Sequence, residues 1–398
     1  MKFFEIFGIK KGDVVCIVGA GGKTSLMLHL AKELTEAGHS VLVTTTTRLA
    51  SNEITSDFDF LVNINGEKAE SPDISAIKNS DHDVKLIEAD GSARKPLKCW
   101  LDSEPVIPEF ATLTIGVLDI STIDKSPDIH RPEQFKALTG YKDKITVKNL
   151  AEVLNSSDGI FRNSSHTRNI VFLSKCESEK DIKNSIRLSP FTHKKLTYGS
   201  VFNKTIANIP KLSAVIMAAG TSSRMGENKL LMQIDEKAMI THLLDNLPAE
   251  VFNKISMIYA DDALAELCNK SWLRMIKTDG GHEKNITIKL GTESCSDSDG
   301  IMFFVADQPF LKKDTIIKLA DSFFKNTSKI LIPVCCGRQR NPVIFPQKVF
   351  AQLMNLKGDR GGRTVIDNHP ELCICIDFED EKQFTYIDTR QEYERYAK

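Results

Sequence analysis

The chain has almost no net charge and no long hydrophobic run. Its 398 residues include 52 basic and 53 acidic ones, a formal charge of −1. This balance gives no support to nonspecific binding of nucleic acid. No uncharged apolar stretch approaches the roughly 20 residues that span a bilayer. The first residues also lack the apolar segment and cleavage site of a signal peptide. We therefore expect a cytoplasmic protein whose partners are neither nucleic acid nor membrane.

The cysteine patterns of disulfide-rich and zinc-binding domains are also absent. The nine cysteines are an odd number and include no C-x-x-C pair, which argues against a disulfide framework or tetrahedral zinc. Cys335-Cys336 and Cys373-x-Cys375 remain open as ligands for metal or selenium. For both pairs, packing within a strand is the preferred interpretation. A reducing compartment is consistent with this usage.

Strand-like and helix-like patterns alternate along most of the chain, which predicts α/β architecture with parallel sheets. At 398 residues, the chain is long enough for two domains with separate cores. Residues 198–211 show no clear periodicity. We place the boundary there, between a P-loop-like domain at 1–205 and a Rossmann-like domain with a mostly parallel sheet at 211–398.

The first domain opens with a strand pattern, a glycine-rich loop and an amphipathic helix pattern. The loop reads GAGGKTS, and its glycines are Gly19, Gly21 and Gly22. They would expose backbone N–H groups at a helix N-terminus, Lys23 would reach the β- and γ-phosphates, and Thr24 would hold Mg²⁺. The loop is shorter than the strict P-loop pattern and is similar to the one in Mur-type ligases. A tight turn is the alternative, but the strand–helix context favours nucleotide binding.

Later strand patterns in the first domain end in residues suited to ligands. Two of them are followed by TTTTR and EADGS, and parallel strands bind ligands at their carboxyl ends. Glu88 and Asp90 are typical of Mg²⁺ ligands, but on their own they fit a solvated loop equally well. Arg131, in the turn HRPE, is expected at the surface or against a phosphate. Residues 174–177, SKCE, leave the choice between ATP and GTP open.

Five segments in order, GAGGKT, TTTTR, EADGS, EPVIP and HRPE, resemble the YqeC-type family. Its members are accessory proteins linked to selenium-dependent molybdenum hydroxylases. The resemblance covers about residues 1–200. It implies a role in the maturation of such an enzyme, with the hydroxylase apoprotein as a partner, and leaves the chemistry of the first domain undefined.

The second domain begins with an apolar strand pattern and a small-residue loop that is followed by two cations. Residues 214–231 read AVIMAAGTSSRMGENKLL, and the small residues are Ala218, Ala219 and Gly220. Such residues let backbone N–H groups approach a phosphate. Arg224, as a planar fork, and Lys229, as a point charge, suit a triphosphate. A flexible turn with a solvated basic face is the alternative, but the order and spacing of these residues with Gly226 are more specific.

This stretch resembles the signature of the nucleotidyltransferases that build nucleotide forms of the molybdenum cofactor. That signature reads L-A-A-G or L-A-G-G, followed by x-S-x-R-M-G-x-x-K, and Met217 here replaces the leucine. The double-alanine form is similar to the cytidylyltransferase branch. Four later segments also match in order: ADQP at 306–309, RNPVIF at 340–345, which resembles the family's segment near the pterin substrate, GDRGGR at 358–363 and IDTRQEY at 387–393.

The resemblance implies transfer of CMP from CTP to the phosphate of molybdopterin, with release of pyrophosphate. Arg224, Lys229 and the loop would hold the β- and γ-phosphates, and Asp307 and Asp388 would bind Mg²⁺. Further contacts to the nucleotide or the anionic substrate are implied for Gly226, Gly281, Asp359 and Arg363. Thr389 is predicted to cap the last helix.

Two alternatives remain open. A nucleotidyltransferase for a sugar or alditol phosphate shares a glycine loop, two cations and a strand-end aspartate, but the compact R-M-G-x-x-K spacing and the DQP segment favour molybdopterin. A maturation chaperone would combine an NTP-driven first domain with a second domain that has lost turnover. The retained Arg224, Lys229, Asp307 and Asp388 argue against that loss.

Overall fold

The computed structural model describes residues 2–50, 57–65, 68–192, 194–220, 225–279, 284–358 and 361–396. The chain divides into two compact units, Met1–Ile209 and Pro210–Lys398, here called unit 1 and unit 2. Each has its own hydrophobic cores.

Unit 1 is built from strands and helices. Its strands are β1 (Val14–Gly19), β2 (Val41–Thr45), β3 (Arg48–Ala50), β4 (Asp59–Leu61), β5 (Asn63–Asn65), β6 (Lys68–Glu70), β7 (Val84–Glu88), β8 (Leu97–Lys98), β9 (Leu113–Asp119), β10 (Ile129–His130), β11 (Arg168–Ser174), β12 (Lys195–Ser200) and β13 (Thr205–Asn208). Its helices are α1 (Phe3–Phe7), α2 (Lys23–Glu36), α3 (Ile74–Asn79), α4 (Pro132–Thr139), α5 (Val147–Asn155) and α6 (Glu179–Leu188).

The main sheet of unit 1 has the order β13-β12-β11-β9-β1-β7-β2-β4 over the described residues. Neighbouring strands are parallel except β12 and β13. β1 lies inside the sheet and is buried throughout, as expected of a parallel strand covered on both faces. Cys16 and Val18 belong to one core and Val15 and Ile17 to another, because successive side chains point to opposite faces.

The end of unit 1 is more regular than its sequence pattern indicates. Residues 198–211 show no clear periodicity in the sequence, but they contain the end of β12 and all of β13, which pair as an antiparallel hairpin. β13 is an edge strand with no fully buried residue. A strand in that position needs no clear alternation of apolar and polar residues, which explains why its pattern was weak.

Unit 2 is also α/β. Its strands are β14 (Leu212–Ala218), β15 (Gln233–Ile234), β16 (Lys237–Ala238), β17 (Ile255–Tyr259), β18 (Arg274–Lys277), β19 (Gly300–Val305), β20 (Ile330–Cys335), β21 (Arg338–Gln339), β22 (Val343–Pro346) and β23 (Cys373–Phe378). Its helices are α7 (Met239–Asn246), α8 (Asp262–Leu267), α9 (Lys284–Ser294), α10 (Lys313–Lys325), α11 (Phe350–Met354), α12 (Arg363–Asn368) and α13 (Arg390–Glu394).

The main sheet of unit 2 has the order β18-β17-β14-β19-β22-β20-β21, and β23 pairs with β20. It is parallel from β18 to β19 and again between β20 and β23, whereas β22 and β21 run antiparallel to their neighbours. The prediction of two α/β domains with mostly parallel sheets is confirmed. The carboxyl ends of β14 and β19 lie side by side, so the segments that follow them meet at one edge.

The cysteine pairs are only partly packed in strands. Cys335 is buried at the end of β20, but Cys336 is exposed in the turn that follows and has a positive φ of 51°. Cys375 is exposed on β23. The expectation that both pairs pack within a strand is therefore wrong for Cys336 and Cys375, because one lies in a tight turn and the other faces solvent.

Candidate functional site

The small-residue loop of unit 2 follows β14 directly. Ala219 and Gly220 continue from the buried Ala218, and residues 221–224, which include Arg224, lie outside the described residues. The chain then turns at Gly226, whose φ of 76° favours glycine. Asn228 begins a short 3₁₀ helix by accepting a hydrogen bond from the backbone N–H of Leu230 (3.1 Å). This helix carries Lys229.

Lys229 connects the carboxylates of Asp307 and Asp388. Its Nζ donates to Asp307 Oδ2 at 2.6 Å and to Asp388 Oδ1 at 2.5 Å. Asp307 follows β19, and Asp388 precedes α13. The backbone N–H of Ile387 also donates to Asp307 O at 3.3 Å. Three segments that are distant in the sequence thus place two acids on one lysine.

The helix after Asp388 begins as predicted. Thr389 accepts a hydrogen bond from the backbone N–H of Glu392, and Glu392 in turn accepts from the backbone N–H groups of Thr389 and Asp388. The prediction that Thr389 caps the last helix is confirmed. This reciprocal capping fixes the backbone at Asp388 and hence the position from which its carboxylate reaches Lys229.

Burial dominates the electrostatics around Asp307. Burial raises the pKa of Asp307, Lys229 opposes the shift and Asp388 adds to it, so the pKa lies above its usual value. Burial lowers the pKa of Lys229, but the charges of Asp307 and Asp388 outweigh this and raise it. Asp307 Oδ1 is buried and has no hydrogen-bond partner among the described residues. Such an oxygen is costly unless a donor or a cation reaches it.

These residues line a cavity of about 700 Å³, a volume typical of small-molecule sites. Its lining includes Ala219, Gly220, Lys229, Asp307 and Asp388. Ala218 and Gly226 shape the loop and do not belong to the described lining. Gly281 and Asp359 lie outside the described residues, so the structure says nothing about their predicted contacts.

The cavity lining also contains polar residues from the segments around β21, β22 and α12. Arg340 donates to Glu381 (2.8 Å), and its Nε is buried without a partner in the described part of the chain. Asn341 donates to the hydroxyl of Tyr386 (3.0 Å). Arg363 donates to Asp367 (2.8 Å) and is partly committed to that contact. From the sequence, Arg340 was placed only at the start of the segment 340–345, which resembles the family's segment near the pterin substrate, and no role was assigned to its side chain. Tyr386 was not identified as a site residue, because it stands just outside the matched segment 387–393.

The glycine loop of unit 1 lies between β1 and α2. Gly19 has a φ of 100°, and a Cβ there would lie 2.2 Å from the carbonyl oxygen of Val117. Gly21 has a φ of 88°, and its Cβ would lie 2.6 Å from that of Asp119. Both positions therefore require glycine. The N-terminal turn of α2 follows at once and carries Lys23 and Thr24.

Lys23 is enclosed by acceptors. Its side chain is only 2% exposed, and its Nζ lies 2.9 Å from Gly19 O, 3.3 Å from Asp90 and 3.5 Å from Glu88. Burial lowers the pKa of Lys23, but Asp90 and Glu88 outweigh it and raise the pKa above its usual value. Thr24 donates to the same Glu88 at 2.8 Å. The lysine, the threonine and the strand-end acid thus lie together.

A chain of alternating charges extends from Lys23 through unit 1. Asp90 is fully buried and accepts from the backbone N–H of Gly19 (3.0 Å), Trp100 Nε1 (2.6 Å) and Lys98 Nζ (3.1 Å). Lys98 also contacts Glu104 at 3.1 Å. Together with Glu88 and Arg131, these residues form the buried charge cluster of unit 1: Lys23, Glu88, Asp90, Lys98, Glu104 and Arg131.

Arg131 closes this cluster. Its guanidinium donates to both oxygens of Glu104, at 2.7 and 2.9 Å. Burial raises the pKa of Glu104, but Arg131 and Lys98 outweigh it and lower the pKa to about 2. The structure therefore gives Arg131 a carboxylate partner and a half-buried position, so the surface position expected from the sequence is wrong, whereas the contact with a phosphate stays a prediction. The solvated-loop alternative for Asp90 is wrong, because a carboxylate with three donors is stable when buried.

Two absences apply to the described residues. Within them, no group of three or more His, Cys, Asp or Glu side chains is arranged to hold a metal ion. No helix in the described ranges is long and apolar enough to cross a membrane.

Family comparisons match the two units separately. A family model described as "YqeC protein" matches residues 15–133, and one described as "MobA-like NTP transferase domain" matches residues 214–372. The protein "Uncharacterized protein YqeC" of Escherichia coli (strain K12) is 31% identical over 185 residues, which cover 39% of this chain and 72% of that protein.

Two further relatives are more distant. "Purine catabolism protein PucB" of Bacillus subtilis (strain 168) is 26% identical over 201 residues, covering 46% of this chain and 95% of that protein. "Probable molybdenum cofactor guanylyltransferase" of Natranaerobius thermophilus is 25% identical over 129 residues, covering 32% of this chain and 62% of that protein.

Proposed function

The chain belongs to the YqeC family and continues into a nucleotidyltransferase domain, and on this premise we propose that unit 2 transfers CMP from CTP to the phosphate of molybdopterin. The observation that carries the proposal is the meeting of Lys229, Asp307 and Asp388 beside the small-residue loop in one cavity. Among the described residues, this arrangement offers a cation for phosphates and two acids for a metal ion.

The reaction exchanges one phosphoanhydride bond for another. An oxygen of the pterin phosphate attacks the α-phosphorus of CTP, a new P–O bond forms, and the bond to pyrophosphate breaks with its electron pair on the leaving oxygen. Lys229 and the N–H groups at Ala219 and Gly220 hold the triphosphate so that attack occurs in line. Positioning and charge are sufficient, and no covalent intermediate with the chain is needed.

The acids fit a divalent cation. Asp307 Oδ1 is buried without a partner among the described residues, and carboxylate oxygens are the ligands that Mg²⁺ prefers. Asp307 and Asp388 would hold the ion by exchanging their contacts with Lys229 for metal contacts, which would release the lysine toward the phosphates. When bound, Mg²⁺ supplies positive charge to the leaving pyrophosphate.

The choice of CTP rests on the loop. Ala219 lines the cavity, and its methyl group would crowd a purine more than a pyrimidine. One relative carries guanylyltransferase in its name, so the base must be decided by experiment. We expect pyrophosphate release with CTP and purified molybdopterin to exceed release with GTP. Equal or better use of GTP would contradict the assignment of the base.

The same assay separates the alternatives. Release with a sugar or alditol phosphate, but not with molybdopterin, would identify the other enzyme class. No release with any acceptor from a folded protein would favour the maturation chaperone. Arg340 and Arg363 are proposed to attract the anionic acceptor, whichever it is, because both line the cavity.

Unit 1 is proposed to bind a nucleoside triphosphate at Gly19–Thr24 and to act, in the cytoplasm, on the apoprotein of a molybdenum hydroxylase. Two observations support this proposal. Gly19 and Gly21 lie where a Cβ would clash with neighbouring residues, so the loop requires glycine there, and Thr24 donates a hydrogen bond to Glu88. Glu88 and Thr24 would hold Mg²⁺ there. Binding requires Lys23 to exchange its carboxylate partners for phosphate oxygens, which a metal ion on those carboxylates would favour.

A further inference from the structure

The segment after β11 is held against the glycine loop of unit 1. Ser174 Oγ donates to the carbonyl oxygen of Gly21 at 2.8 Å. Lys175 follows with a φ of 55°, and its Nζ lies 2.7 Å from Asp119 Oδ2. Asp119 itself lies so close to Gly21 that a Cβ there would meet it at 2.6 Å. Residues 174 and 175 therefore belong to the same surface as the loop.

Sheet topology places this segment at a distance from the glycine loop that a nucleotide can span. β1, β9 and β11 are consecutive parallel neighbours, so the glycine loop after β1 and the segment after β11 lie at one edge of the sheet. Two strand spacings separate them, about 10 Å. On the opposite side of β1, Glu88 at the end of β7 and Asp90 just after it contact Lys23, and Glu88 also accepts a hydrogen bond from Thr24. A nucleotide with its phosphates at the loop thus has room for its sugar over β9 and its base over β11.

The carboxylate of Glu177 is held at this edge. The backbone N–H of Cys176 donates to Gly199 O at 3.0 Å, and Ser200 Oγ donates to Glu177 Oε1 at 2.8 Å, so the end of β12 fixes the segment. Glu177 is exposed, and the described residues make no further hydrogen bond or ion pair to its carboxylate. It presents acceptor oxygens and no donor to solvent at this edge of the sheet, on the β12 side of the segment.

We propose that unit 1 selects a guanine nucleotide and that Glu177 recognises the base. The inference rests on the proposed nucleotide site at Gly19–Thr24 and adds the base and the residue that reads it. A carboxylate offers two adjacent acceptors, and guanine presents two adjacent donors, N1–H and the N2 amino group. Adenine presents a donor beside an acceptor on the same edge, so the carboxylate would face a lone pair. Charge-assisted bonds of this kind are strong and directional.

Lys175 completes the base site. Its side chain is half exposed and extends across to Asp119, so its methylene groups offer a flat apolar surface on which a base can lie. The positive φ of Lys175 is unusual for a side chain of this size. With this backbone conformation, the side chain of Lys175 extends toward Asp119 and the loop. Glu177 then remains available to contact the edge of the base.

Calorimetric titration of the full chain with the Mg²⁺ complexes of GTP, ATP and xanthosine triphosphate tests the proposal. Binding that is lost in Lys23→Ala, or in Lys23→Met if the first variant does not fold, is assigned to unit 1. We expect this binding to favour GTP over ATP by at least about tenfold, since a bidentate base contact discriminates by about that much or more.

The decisive variant is Glu177→Gln. Its amide oxygen still accepts from N1–H, but its N–H₂ group faces the amino group of guanine and suits the O2 of xanthine. GTP affinity should fall at least about tenfold, that of xanthosine triphosphate should rise, and ATP should not change. Glu179→Gln, which removes an equal charge two residues away, is the matched control and should change none of the three.

The outcomes separate the inference from its premise. Equal Lys23-dependent binding of GTP and ATP overturns the choice of base and leaves the nucleotide site intact. A Glu177→Gln variant that weakens all three nucleotides equally overturns base reading by Glu177. No Lys23-dependent binding of any nucleotide contradicts both the site and the inference.

Discussion

The two units hold the lysines of their loops in different ways. In unit 1, Lys23 is enclosed by Gly19 O, Asp90 and Glu88, and the carboxylate of Asp90 has donors on several sides. In unit 2, Lys229 lines a cavity of about 700 Å³, and the neighbouring Asp307 keeps a buried oxygen without a partner in the described chain.

The charges around the loop lysine are already balanced in unit 1, whereas in unit 2 a buried carboxylate oxygen still needs a partner among the described residues. The buried charge cluster of unit 1 balances three cations with three acids, so any ligand must replace bonds that already exist. In unit 2, burial disfavours the charge of Asp307, as its raised pKa indicates, and an added cation would stabilise that charge. We therefore expect equivalent substitutions to affect stability in unit 1 and chemistry in unit 2.

The largest effect is expected for Asp90→Asn. Removing the charge of Asp90 leaves the three cations of the buried charge cluster facing only Glu88 and Glu104, and breaking a buried ion pair in this way costs about 3–5 kcal/mol of unfolding free energy. Urea unfolding followed by tryptophan fluorescence measures this directly. The chain has two tryptophans, so a Trp272→Phe background leaves Trp100, beside Asp90, as the reporter of unit 1. A loss below about 1 kcal/mol would show that the cluster does not stabilise unit 1.

Asp307→Asn should act on turnover. Loss of one charge that stabilises the transition state costs about 3–4 kcal/mol, or 10²- to 10³-fold in rate, while the unfolding free energy should change little because burial already disfavours this charge. Pyrophosphate release measures the first quantity and thermal unfolding the second. Asp245→Asn, which breaks an exposed pair with Lys237, is the control. Activity within a few-fold of the wild type would exclude Asp307 as a metal ligand.

The smallest expected effect is on the acid dependence of the unfolding free energy. The pKa of Glu104 is lowered from 4.5 to about 2, so the folded state releases this proton more readily than the unfolded chain does. Its stabilisation is present above pH 4.5 and is lost as the pH falls toward about 2. Glu104→Gln should therefore lower the unfolding free energy near neutral pH by about 1–2 kcal/mol after solvent screening. The unfolding free energy of this variant should also depend less on pH in the acid range.

In unit 2, Asp307 gives the pH dependence of stability the opposite sign. The raised pKa of Asp307 means that this carboxyl contributes no stability that acid removes, and that it favours the folded state less as the pH rises through the raised value. When the wild type and Glu104→Gln are unfolded by acid in parallel, the difference between them should thus appear in the fluorescence of Trp100 and not in that of Trp272. An unchanged acid dependence in Glu104→Gln would contradict the pairing of Glu104 with Arg131.

Much of this organisation was available from the sequence. Glycine loops between a buried strand and a helix pattern are local signals, so Gly19–Thr24 and the loop after β14 were found where the structure has them. Asp307 was found because it follows a buried strand, and Asp388 because its segment matches a family pattern. The structure brings both onto Lys229, a meeting that no local pattern could establish.

Long-range ion pairing was not predictable. Lys98, Glu104 and Arg131 occur in unrelated turns and short strands, and nothing in their spacing indicates that they pair with one another. Arg131 therefore looked like a surface residue. For the same reason the enclosure of Lys23 by Asp90 could not be inferred: a lysine in a glycine loop is expected to point at a ligand, and only the fold shows which acids reach it first.

The most direct test of the account compares Lys23→Ala and Lys229→Ala in the full chain, with pyrophosphate release from CTP and molybdopterin as the readout. The two lysines belong to separate loops in separate units, and only Lys229 lies beside Asp307 and Asp388. The account predicts a loss of at least about hundredfold for Lys229→Ala and near wild-type release for Lys23→Ala. Loss of turnover in a folded Lys23→Ala protein, or retained turnover in Lys229→Ala, would contradict it.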